Sequence, residues 1–129
     1  MTIQHFETIE HQLLGWATIN LCGDLTAQAM EALNAAYTAL ESQNFSVIFF
    51  NFAGVNYINS GGIALLISLL ARARQNSRTL MAYGLCSFHA ELFQLAGLNH
   101  YMPILSSETG WSEPASFLEM EPPFQFEKV

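Results

Sequence analysis

Two apolar runs stand on either side of the short segment Asn59-Ser60-Gly61-Gly62, and they differ in rhythm. Val47, Ile48, Phe49 and Phe50 are consecutive and β-branched or aromatic, as in a central strand buried on both faces. Ile63, Leu66, Ile67 and Leu70 return every third or fourth residue, as in a helix. A strand that enters a helix through four small or polar residues commits the chain to a sheet with helices against it. Asn59 and Ser60 both suit the cap of that helix, while the glycines allow positive φ or close approach by another backbone. By periodicity alone the segment reads either as a capped turn or as a docking point for an anion or partner at a helix N-terminus.

The flanking residues extend the same pattern. Residues 3–9 and 12–22 predict two strands joined by a tight turn near Glu10-His11, the second with apolar side chains on both faces. Gly23-Asp24-Leu25-Thr26 breaks that strand, with Asp24 or Thr26 as cap of the next helix. Over 27–43, Met30, Leu33, Tyr37 and Leu40 mark one helical face, filled in by Ala29 and Ala36. The central strand is expected over 46–52 and the second helix over 63–76. On that helix Leu65, Leu69 and Ala73 widen the apolar stripe beyond what a sheet alone would cover. Arg72, Arg74 and Arg78 gather at its C-terminal end, where the helix dipole favours cations and solvent is near.

Residues 79–83 predict a strand. Residues 87–96 predict a third helix, with Ser87 as cap, Gly97 as terminator and Leu92, Leu95 and Ala96 facing inward. A last strand over 101–105 and a last helix over 111–120, with Pro114 in its first turn, complete the order β-β-α-β-α-β-α-β-α. The expected class is therefore α/β: a mixed, mainly parallel sheet of four or five strands, an antiparallel edge and about four helices. One domain over 1–120 and a C-terminal tail over 121–129 are expected.

Composition narrows function. Among 129 residues, 51% are hydrophobic and 12% charged, so apolar surface should face a partner. Four basic residues against eleven acidic ones give a net charge of −7, which disfavours direct contact with nucleic acid. No apolar run reaches the roughly 20 residues of a bilayer span, so no membrane insertion is expected. The opening MTIQHFETIE carries no basic n-region or apolar h-region, and the expected location is the cytoplasm. Cys22 and Cys86 lack CxxC spacing and read as buried reduced thiols.

Catalytic patterns are missing. His5, His11, His89 and His100 are scattered and have no metal-site spacing. Neither GxxxxGK[ST] nor GxGxxG occurs, and Glu91 has no acidic companion nearby in sequence. No active site can be assembled, so no enzyme activity and no cofactor are expected. A small-ligand sensor is disfavoured, because no convergent polar set is visible.

The ordered set Gly23-Asp24-Leu25, Asn51-Phe52-Ala53-Gly54-Val55, Asn59 to Ile63 and Leu92 to Leu98 resembles the STAS domain family, the anti-sigma factor antagonists and their relatives, over residues 23 to about 118. The resemblance implies a small STAS-like α/β domain that catalyses nothing. Its partner would be an anti-sigma factor and serine kinase of GHKL type, bound by the unphosphorylated antagonist so that a sigma factor is released. The family's D-S-S/T-G-L turn falls on Asn59, Ser60, Gly61, Gly62 and Ile63. The usual phosphoacceptor is thus Gly61, Ser60 is the remaining candidate acceptor, and Asn51 and Asn59 replace two acids.

The resemblance implies a docking surface made of Asp24, Thr26, Asn59, Ser60, Gly61, Gly62, Leu65 and Leu69. The alternative partner is the ATPase subunit of a membrane lipid transporter, which some stand-alone STAS proteins regulate; a homodimer is also left open.

Overall fold

The computed structural model describes residues 7–11 and 15–105. Strand β1 (Glu7–His11) precedes β2 (Trp16–Leu25), a short 3-10 helix (Ala27–Ala29), α1 (Met30–Glu41), β3 (Val47–Ile58) and α2 (Ser60–Gln75). Then come β4 (Thr79–Tyr83), α3 (Ser87–Ala96), a second 3-10 helix (Leu98–His100) and β5 (Ile104–Leu105). The strands form one sheet in the order β1-β2-β3-β4-β5, antiparallel between β1 and β2 and parallel elsewhere. This is the mainly parallel sheet with an antiparallel edge expected from the alternation of elements. The described residues hold three α-helices. Residues 3–6 of the first expected strand, the helix at 111–120, the domain limit at 120 and the tail lie outside the described residues.

The first turn is not where the sequence suggests. Glu10 and His11 are ladder residues paired with Ala17 and Trp16, and Gly15 at φ +73° leads into β2. Polar side chains are acceptable on an edge strand, so polarity there did not mark a turn. β3 also runs six residues past its expected end at Phe52. Its extension pairs with the far half of β2, as in Cys22 with Gly54, Asp24 with Tyr57 and Leu25 with Ile58, through two register shifts. Asp24 is therefore a strand residue and not a helix cap, and β5 is shorter than expected.

β3 is buried on both faces, as its unbroken apolar run predicts. On one face Ile48, Phe50 and Phe52 join Ile19, Leu80 and Ala82 against Leu33, Tyr37 and Leu40 of α1, Leu66 and Leu69 of α2, and Phe93 of α3. Phe52 meets Phe93 edge-on at 5.4 Å between ring centroids. On the opposite face Trp16, Val47, Phe49, Met81, Tyr83 and Leu105 form a second cluster. Phe49 lies edge-on to Trp16 at 5.7 Å and to Tyr83 at 6.4 Å. Each such buried side chain contributes about 1.5–3 kcal/mol relative to exposure, so β3 anchors the domain.

Several helix faces are rotated from expectation. Met30 is exposed because the 3-10 helix ahead of it makes it the first residue of α1, outside the Leu33-Tyr37-Leu40 stripe. On α2 the buried face is Gly62, Leu65, Leu66, Leu69 and Ala73, whereas Ile67 is exposed and Ile63 and Leu70 are half-buried. On α3 the inward residues are His89 and Phe93, and Leu95 and Ala96 are exposed. Ser87 is the first residue of α3, behind an N-cap at Cys86 that makes no side-chain capping bond. Gly97 does terminate α3, at φ +75°. Cys22 and Cys86 are free thiols and both are exposed, not buried.

Two of the three arginines near the end of α2 are bound to α1. Arg72 pairs with Glu41 at 2.7 Å and lies over the Tyr37 ring at 4.8 Å from the centroid. Arg78 donates from Nη2 to the backbone carbonyl of Glu41, which the end of α1 leaves without a helical partner, and to that of Gln43 just beyond the helix. Asn76 adds a 3.0 Å bond to Glu41 Oε2.

Candidate partner-docking site

The sequence-derived turn lies where β3 runs into α2. Asn59 keeps extended dihedrals, and its Oδ1 accepts from the Gly62 amide at 3.0 Å, so it is the N-cap. The Asn59 amide donates to the Leu25 carbonyl at 3.3 Å, tying the turn to the end of β2. Thr26 caps the adjoining 3-10 helix, its Oγ1 accepting from the Gln28 amide at 3.3 Å. Ser60 is the first residue of α2 and is exposed.

The two glycines are there for space. A Cβ on Gly62 would stand 2.1 Å from the Leu25 carbonyl oxygen, so no other residue fits without moving the strand. A Cβ on Gly61 would stand 2.9 Å from both the Cβ and the backbone nitrogen of Ala27. Position 61 is thus closed by the 3-10 helix. A side-chain hydroxyl there would have to displace backbone.

Thr26, Asn59, Ser60, Gly61 and Gly62 therefore come together at one end of the domain, with Asp24 half-buried on the adjoining strand. Leu65 and Leu69 do not join them: Leu69 is 0% and Leu65 9% exposed, and both belong to the core against the sheet. The outer face of α2 carries Ser60, Ala64, Ser68 and Ala71 instead. Sequence reasoning missed Met30 and Tyr57, 53% and 52% exposed: Tyr57 lies two residues before Asn59, and Met30 directly follows the 3-10 helix whose Ala27 abuts Gly61. Met30 was hidden by its fit to the helical stripe, and Tyr57 by a strand that runs on past its expected end.

The α2 N-terminus has no acidic residue in its first turn, so its positive end is left to a partner or solvent. Asn51 also has a structural role: its Nδ2 donates to Asn20 Oδ1 at 2.9 Å and its Oδ1 accepts from the Ala53 amide at 3.0 Å. His89 is buried on α3, and burial lowers its pKa from the ordinary 6.5. Among the described residues no three His, Cys, Asp or Glu side chains gather as a metal site would require, and no helix is long and apolar enough to cross a membrane.

Comparison with known proteins follows the same geometry. The family described as Mlab, STAS domain matches residues 14–106. The chain belongs to the STAS domain family. Anti-sigma-B factor antagonist of Staphylococcus epidermidis is 24% identical over 100 residues, covering 78% of this chain and 91% of that protein. The same-named protein of Staphylococcus aureus is 24% identical over 86 residues, covering 67% and 80%. The fold is that of the anti-sigma factor antagonist SpoIIAA in its unphosphorylated form, at TM-score 0.65 and 16% identity, over 88% of this chain and 94% of that one.

Proposed function

We propose that this STAS domain is a non-catalytic regulatory binding module that docks a protein partner through the Asn59 to Gly62 turn, with the usual phosphoacceptor position lost at Gly61. The supporting observation is the 2.9 Å approach of a Gly61 Cβ to Ala27, beside an exposed, uncharged helix N-terminus. The antagonist relatives support an anti-sigma factor as the partner, and the STAS resemblance adds that it would also be a serine kinase of GHKL type. A phosphate at a docking helix adds about −1.5 to −2 charges and repels or desolvates badly against the partner. With glycine at 61 that off-switch is absent, and Ser60 is the one hydroxyl left in the turn.

A second reading is favoured by the same closure. A turn without a phospho-switch suits a permanent complex, such as a regulatory subunit of a membrane lipid-transport ATPase. Cytoplasmic location fits both readings.

The test is affinity purification of the intact chain with mass spectrometry of what it retains. Recovery of a GHKL-type kinase supports the antagonist reading, and recovery of a transport ATPase overturns it in favour of the second. Incubation with the recovered kinase and ATP should leave the intact mass unchanged. Stoichiometric phosphorylation of Ser60 would sink the loss of the switch.

A further inference from the structure

We propose that the chain has a second binding site, distinct from the docking turn, for an amphiphile with one carboxylate and a flexible apolar chain. A cleft of about 750 Å³ opens between the C-terminal half of α2, the start of β4 and the stretch that follows α3. That is within the range of small-ligand sites, about 300–1,000 Å³. Its apolar lining includes Ile67 and Leu70 of α2 with Leu98 and Tyr101 beyond α3. Ile67 and Tyr101 are 50% and 63% exposed, a large apolar area for solvent to cover.

The polar groups on this cleft select the head group. Arg74, Arg78 and His100 all line it. Arg78 is already committed to the carbonyls of Glu41 and Gln43, and Arg72, outside the cleft, to Glu41. Arg74 is thus the arginine with no side-chain hydrogen bond or ion pair among the described residues. The chain has eleven acidic residues against four Lys and Arg, so a guanidinium beside an apolar cleft with no acidic partner among the described residues stands out. The C-terminal dipole of α2 favours a cation at this end of the helix but supplies no acceptor for its fork of donors. A carboxylate satisfies that fork with two parallel bonds, and the His100 ring can donate a further one. The apolar chain then lies along Ile67, Leu70, Leu98 and Tyr101. A neutral or cationic ligand would leave Arg74 as it is.

The experiment is a ¹H–¹⁵N titration of the intact chain with sodium laurate below its micelle concentration, repeated with dodecyltrimethylammonium. Laurate should give saturable shifts centred on Ile67, Leu70, Leu98 and Tyr101, and the cationic analogue should bind at least about tenfold more weakly, as expected for loss of one charge-assisted contact. Arg74→Glu, at an exposed position, should weaken laurate by a similar factor with an unchanged melting curve. Equal binding of both amphiphiles, an unaffected Arg74→Glu variant, or no saturable shifts would overturn the site. Shifts of the same residues that grow with protein concentration alone would also overturn it, in favour of a second copy of this chain. None of these readouts involves the protein partner, so this site and the docking turn stand or fall separately.

Discussion

Gly61 and Ala27 meet where α2 abuts the first 3-10 helix, and a Cβ on Gly61 would lie 2.9 Å from the Ala27 Cβ and equally close to its backbone nitrogen. Restoring a hydroxyl by Gly61→Ser sets two effects against each other. The gain in helix propensity is at most about 0.5–1 kcal/mol. The overlap costs about 1–3 kcal/mol, since backbone must move. Urea denaturation should therefore show the variant to be less stable than the parent, and Ala27→Gly should restore only part of the loss because the Ala27 nitrogen remains. A Gly61→Ser protein of undiminished stability would mean that the 3-10 helix yields freely.

The Asn59 cap gives a second prediction. Asn59→Ala removes the acceptor for the Gly62 amide and should cost about 0.5–2 kcal/mol. Asn59→Asp keeps an acceptor and adds a negative charge at the positive end of α2, so its stability should equal or exceed that of the parent. Thermal or urea melts of the two variants decide the matter, and equal losses would argue against capping.

The joint between α1 and α2 separates charge from backbone satisfaction. The Arg72–Glu41 pair is 32% and 25% exposed at its side chains, so solvent screens it and Glu41→Gln should cost less than about 1 kcal/mol. Arg78→Met leaves the carbonyls of Glu41 and Gln43 without their donor and should cost about 1–3 kcal/mol. High salt should shrink the Glu41→Gln effect far more than the Arg78→Met effect. Denaturation at two ionic strengths measures both.

His89 predicts a pH dependence. Burial lowers its pKa below 6.5, so the unfolded chain binds the proton more readily than the folded one. The stability tied to its neutral form is complete above the unfolded value and is lost as pH falls through the folded value. His89→Gln cannot take up that proton, so unfolding free energy should drop less between about pH 7 and about pH 5 in the variant than in the parent. Equal slopes would show that His89 is solvated when charged.

How far the sequence reached can be seen element by element. The rhythm change across Asn59 to Gly62 identified the β3-to-α2 turn and narrowed its cap to Asn59 or Ser60, because caps and periodicity are local properties of a few residues; the structure chose Asn59. Strand β4 was placed to the residue, and Gly97 as the end of α3, for the same reason. What the sequence left undecided was relational. The length of β3 depends on its pairing with the far half of β2, and Glu10 and His11 are strand residues only because Ala17 and Trp16 lie opposite. Leu65 and Leu69 looked available to a partner because a wide apolar arc has no intrinsic direction; only the position of α2 against the sheet turned them inward and left Ile67 outside. The closure of Gly61 by Ala27, 34 positions earlier in the chain, and the meeting of Arg74 with His100 on one cleft exist only in the folded domain, since contacts between distant residues leave no local pattern.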